Sequence, residues 1–84
     1  MKFKFELEIG CLYRKEVRNS LLRAKDKLEY EYIGSSLKIR EEKTWLDSVF
    51  YIQGTNFPDT VECQNLIKNW FNKFADFADE NENE

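Results

Sequence analysis

From Lys2 to Ile9 charged and apolar side chains alternate without a break, with Phe3, Phe5, Leu7 and Ile9 on one side and Lys2, Lys4, Glu6 and Glu8 on the other. A period of two predicts a half-buried strand over residues 2–9, ended at Gly10. Over residues 13–27 the period changes. Val17, Leu21, Ala24 and Leu28 recur at intervals of four, three and four, which draws the apolar stripe of a helix. Residues 28–33, LEYEYI, alternate again and predict a second strand, followed by a turn at Gly34-Ser35-Ser36. Leu37 and Ile39, alternating with Lys38 and Arg40, predict a third. Residues 43–48, KTWLDS, read as a loop, and 49–53, VFYIQ, as a fourth strand. Its four consecutive apolar residues predict a central place in the sheet or cover on both faces. In the last segment Asp59 and Glu62 fit a capping pattern beside Pro58. Beyond it Cys63, Leu66, Ile67, Trp70, Phe71, Phe74, Phe77 and Ala78 trace a wide apolar face. This predicts a helix packed across the sheet, with Trp70 and Phe74 buried.

The resulting fold class is α+β, in the order β-α-β-β-β-α: a four-stranded, mostly antiparallel sheet with two helices packed on one face, so that both stripes are buried. The order resembles a ferredoxin-like unit without its closing strand, a likeness of architecture alone. Eighty-four residues suffice for one domain, expected over residues 1–79, with residues 80–84 as an acidic mobile tail.

Composition sharpens the picture in two places. At 42% hydrophobic and 15% aromatic, the chain is too apolar to stay unfolded. The net charge of −3 divides unevenly. Residues 76–84 hold five acids and no cation, leaving a body with 13 cations against 11 acids. Such a nearly neutral body lacks the basic excess of most nucleic-acid binders. No apolar run suits a signal peptide or the roughly 20 residues of a membrane span. Cys11 and Cys63 lie far apart in sequence, which suits free thiols in a reducing compartment. The expected location is cytoplasmic, with no membrane partner.

Histidine is absent from the chain, which removes imidazole acid–base chemistry and His-activated nucleophiles. Gly10, Gly34 and Gly54 are isolated, so no phosphate-cradling loop forms from them. Glu41 and Glu42 are neighbours in a strand and point to opposite faces. The expectation is a chain that is not an enzyme, with no catalytic, cofactor-binding or metal-ligating residue and no cofactor.

Three surface features remain. Trp45 and Leu46 stand in a polar loop, and Tyr51 follows on the sheet face away from the helices. Large aromatics so placed are common interface anchors; the plain alternative is a ring folded back over an open core edge. Arg14, Arg18 and Lys25 line one flank of the first helix, suited to phosphate or an acidic surface, or else to a solvated helix flank. Asp76, Asp79 and Glu80, with Glu82 and Glu84, form an acidic tail that engages a basic partner or serves solubility.

The function these features favour is a non-enzymatic protein-binding module, a small inhibitor or adaptor whose partner is another protein, a protein complex or a second copy in a homodimer. In size, compact α+β form and acidic bias the chain resembles small phage inhibitors of host defence, including anti-CRISPR proteins, and that resemblance implies an inhibitor of a host complex. Two alternatives rank below it: a small RNA- or DNA-binding module using the basic first helix, and a structural subunit of a larger assembly.

Overall fold

The computed structural model describes the backbone of residues 1–82 and the side chains of residues 1–75. The chain runs β1 (Phe3–Gly10), α1 (Arg14–Glu31), β2 (Ser36–Lys43), β3 (Asp47–Thr55) and α2 (Val61–Glu82). The class is α+β, as the residue pattern predicts, and the described residues form two helices and a sheet of three strands, not four. The order is therefore β-α-β-β-α.

The missing strand is LEYEYI, most of which is the last turn of α1. As a strand, Leu28 and Tyr30 would share a face. Instead Leu28 is buried while Tyr30 is 86% exposed. Leu28 continues the stripe of Val17 and Leu21, and Glu29 stands four residues after Lys25, in reach of its ammonium at 2.6 Å. Lys, Leu and Glu are strong helix formers, so a short alternation yields to an uninterrupted helical period. The helix closes with the Tyr32 amide donating to the Leu28 carbonyl. Gly34, at φ 92°, then supplies the left-handed turn into β2.

The strand order is β1-β3-β2, with β3 central and antiparallel to both neighbours. β1 and β2 thus run parallel to each other, with β3 between them. Cross-strand register sorts the side chains. Phe3, Phe5, Leu7 and Ile9 of β1, Leu37, Ile39 and Glu41 of β2, and Ser48, Phe50, Ile52 and Gly54 of β3 share one face. α2 lies against β1 and α1 against β2. The core between them comprises Leu7, Ile9, Val17, Leu21, Leu28, Leu37, Phe50, Ile52, Phe57, Cys63 and Ile67. After β3, Asn56 takes a left-handed φ of 61°. This turns Phe57 into the core against the rings of Phe3 and Tyr32.

α2 is capped one residue later than its sequence suggests. Thr60 Oγ1 accepts from the Cys63 amide at 3.2 Å, the usual N-cap geometry. Asp59 instead accepts from the Gln64 side chain. Trp70 and Phe74 are half-buried, not buried as their place on the stripe predicts. They meet edge to face at 5.5 Å and line an apolar cleft of ≈ 370 Å³ with Val17 and Ser20 of α1. The two helices pack on the sheet more than on each other, so this part of the stripe looks into the gap between them.

Gly54 is required by its neighbour. A Cβ there would lie 2.2 Å from Cζ of Phe3, whose ring covers the glycine across the strand pair. Gly54→Ala should push that ring aside and cost about 1–3 kcal/mol in urea unfolding. In a Phe3→Ala background the same change should cost clearly less, because the two side chains compete for one space. Equal costs in both backgrounds would show that the ring is not what the alanine meets.

Candidate docking surface

Only three residues, Thr44, Trp45 and Leu46, join β2 to β3. Thr44 organises them. Its amide donates to the Asp47 carbonyl at 2.8 Å, and its hydroxyl donates to the Asp47 carboxylate at 2.7 Å. The same oxygen accepts from the amides of Leu46 and Asp47. This is how a threonine hydroxyl stabilises a turn. Thr44 is also the first cause holding the Asp47 carboxyl below its ordinary range, ahead of Glu8 and Arg14.

Cys11, in the loop after β1, and Arg14, at the start of α1, brace the turn from the side. The Cys11 amide donates to the Leu46 carbonyl at 3.0 Å. Arg14 donates to the carbonyls of Thr44, at 2.6 Å, and Asp47, at 3.3 Å. With its polar groups tied together, the turn leaves its apolar side chains outside. Trp45 is 86% exposed and Leu46 68%, and Leu12, next to Cys11 in the neighbouring loop, is 86% exposed. Two loops thus bring three large apolar side chains to one end of the sheet on a hydrogen-bonded frame.

Leu12 was not among the candidates drawn from the sequence. Its signal is faint: an apolar residue just ahead of α1, off the Val17–Leu21–Leu28 stripe. Tyr51 lies apart from this end. It sits four residues along β3 from Asp47, about 13 Å at the rise of a strand, on the sheet face the helices leave open. That face is charged, not apolar. Across the three strands its rows read Lys4–Gln53–Lys38, Glu6–Tyr51–Arg40 and Glu8–Val49–Glu42. The Arg40 guanidinium lies 4.2 Å from the Tyr51 ring centroid, and the Tyr51 hydroxyl donates to Glu42 at 3.3 Å. Acids gather at the Trp45 end of this face and lysines at the other.

Of the six cations of the first helix, Arg14, Arg18 and Lys25 do line one flank, and each of these three has a partner inside the protein. Arg14 braces the turn. Arg18 meets Glu41 of β2 with two bonds, Nε to Oε1 at 2.5 Å and a terminal nitrogen to Oε2 at 2.9 Å. The Ser48 hydroxyl donates to the same carboxylate at 2.7 Å. Hydrogen bonding from Arg18, opposed by burial and aided by Ser48, holds the Glu41 carboxyl down to about 2. Lys25 pairs with Glu29, whose other oxygen accepts from the Leu37 amide at 2.9 Å. These contacts fasten α1 to β2. The side chains of Asp76, Asp79 and Glu80 lie outside the described residues.

Cys11 is exposed and Cys63 buried, both as free thiols. Among the described residues no group of three His, Cys, Asp or Glu side chains is placed to hold a metal ion, and no helix is long and apolar enough to cross a membrane. No family model, curated protein or solved structure matches this chain.

Proposed function

We propose that the chain is a non-enzymatic protein-binding module that docks through the end formed by Leu12, Trp45 and Leu46. The observation carrying this reading is the exposure of three large apolar side chains on two adjoining loops that hydrogen bonds from Thr44, Cys11 and Arg14 tie together. Exposed apolar clusters mark contact surfaces. A turn held by its own hydrogen bonds loses little freedom on binding, which raises affinity. The partner is a protein with an apolar pocket for Trp45 and a basic rim. The rim would meet the acidic end of the open sheet face around Asp47, where Glu42 is ion-paired with Arg40. A role as a small inhibitor or adaptor fits such a surface, because covering a site on a larger complex needs a shaped contact and no chemistry. The pairing of Arg18 with Glu41 and of Lys25 with Glu29 favours this reading over nucleic acid, since two cations of the basic flank are already matched by carboxylates.

The test is paired affinity capture with nuclease-treated extract, comparing wild type with the Trp45→Ser/Leu46→Ser double variant. A protein retained by wild type should be retained at least about tenfold less well by the variant, equal to about 1.4 kcal/mol, while the two melt within a few degrees of each other. Equal retention by both places the contact elsewhere. A partner lost on nuclease treatment, with tight oligonucleotide binding at physiological salt, would move the function to nucleic acid.

A further inference from the structure

β1 is an edge strand, and among the described residues no strand covers its outer side. The other edge is guarded, because Glu29 takes the Leu37 amide of β2. Unpaired edges are usually blunted in this way or used for pairing. The backbone direction of β1 follows from its two ends. The Met1 carbonyl accepts from the Phe57 amide, and the Cys11 amide donates to Leu46, so both face inward. In an extended strand successive residues alternate direction. The amides and carbonyls of Lys4 and Glu6 therefore face the open edge.

The side chains along that edge have a symmetry of their own. Read outward from Phe5, the strand carries Lys4 against Glu6, Phe3 against Leu7 and Lys2 against Glu8. Each apolar residue is mirrored by an apolar one and each lysine by a glutamate. An antiparallel pairing of this strand with itself, centred on Phe5, sets Lys4 opposite Glu6 twice and Lys2 opposite Glu8 twice. Opposite charges facing each other across strands stabilise the pairing. The nearest alternative registers that keep the outward backbone groups aligned set Lys4 against Lys4 or Glu6 against Glu6 at the centre and keep only two opposite-charge pairs, against four opposite pairs and no like pair in the register centred on Phe5. On the other face Phe5 would meet its own copy. Phe5 and Phe71, stacked with centroids 4.1 Å apart, are only half-buried in the single chain, and a second copy would cover them.

We infer that the chain forms a twofold dimer by antiparallel pairing of β1 with β1 of a second copy, centred on Phe5, which joins two three-stranded sheets into one of six. The contact is isologous and closes on itself, so it ends at two copies. It leaves the Trp45 end free, and it stands or falls apart from the docking proposal.

The test is sedimentation equilibrium over a concentration series, with charge variants as the probe. Glu6→Lys places lysine opposite lysine at both central positions, and Lys4→Glu places glutamate opposite glutamate. Each variant alone should dimerise at least tenfold more weakly than wild type. An equimolar mixture of the two restores opposite charges at both positions, so it should form a heterodimer. Loss of folding in a single variant would not be repaired by mixing. The Trp45→Ser/Leu46→Ser variant should dimerise as wild type does. A wild type that stays monomeric throughout, single variants that dimerise normally, or a mixture that stays monomeric would each overturn the proposal.

Discussion

Phe50→Ala is expected to lower stability by about 3–5 kcal/mol, close to the whole stability of a domain this size at the low end of the usual range. Phe50 is fully buried at the centre of β3, between Leu7 of β1 and Glu41 of β2 in the register. Its removal opens a cavity that neither fixed neighbour can close. Phe74→Ala should cost about half as much, because part of that ring already faces water and loses less on truncation. Urea unfolding of the two variants measures the difference. Equal losses would mean that the cleft between α1 and α2 is closed in solution and that Phe74 belongs to the core.

Arg18→Ala is expected to lower stability at neutral pH, because it strips the charged partner from a carboxylate whose side chain is only 12% exposed. Its pH dependence distinguishes it from a packing defect. Glu41 titrates near 2 in the folded protein against an ordinary value near 4.5. A depressed folded-state value means that the stabilisation is complete above about 4.5 and is lost as the pH falls towards 2. The gap between Arg18→Ala and wild type should therefore be widest above pH 5 and narrow through that window, as wild type loses the advantage the variant already lacks. Chemical unfolding at pH 7, 4 and 2.5 follows it. A gap that stays constant across the three would assign the loss to the packing of the arginine stem.

The elements visible in the sequence are those in which one face of a regular period is apolar. β1 alternates cleanly because one face lies on α2 and the other on water. α1 and α2 show their stripes, and VFYIQ, the most apolar strand, is the central one. LEYEYI misleads because five alternating residues fit a strand as well as the end of a helix. What decides between them is the placement of Leu28 and the Lys25–Glu29 pair, and both depend on where the preceding helix is anchored. The same limit applies at the surface. Trp45 and Leu46 stand out in sequence as apolar residues in a polar loop. Leu12 does not, because it joins them only when the Cys11 amide meets the Leu46 carbonyl across 35 positions of chain. The cations of α1 are legible as a row, but Glu41, Glu29 and the turn carbonyls that engage them come from segments the row does not reveal.

The central strand meets its two neighbours on very unequal terms. β3 reaches β2 through a three-residue turn, whereas its pairing with β1 closes the long stretch from Gly10 to Asp47. Loop-closure entropy grows with the logarithm of length, so the second closure costs about 2 kcal/mol more than the first. The β2–β3 hairpin is thus the local unit of the sheet, and β1 is the strand whose attachment depends on distant contacts. Its fixings are spread along its length accordingly: the Met1 carbonyl on the Phe57 amide, the Phe3 ring over Gly54, the Phe5 ring on Phe71, and the Cys11 amide on Leu46. Three of these four tie β1 to the hairpin or the segment just after it, and the fourth ties it to α2. Loosening any one therefore weakens the seam between the first strand and the rest of the fold before it disturbs the hairpin itself.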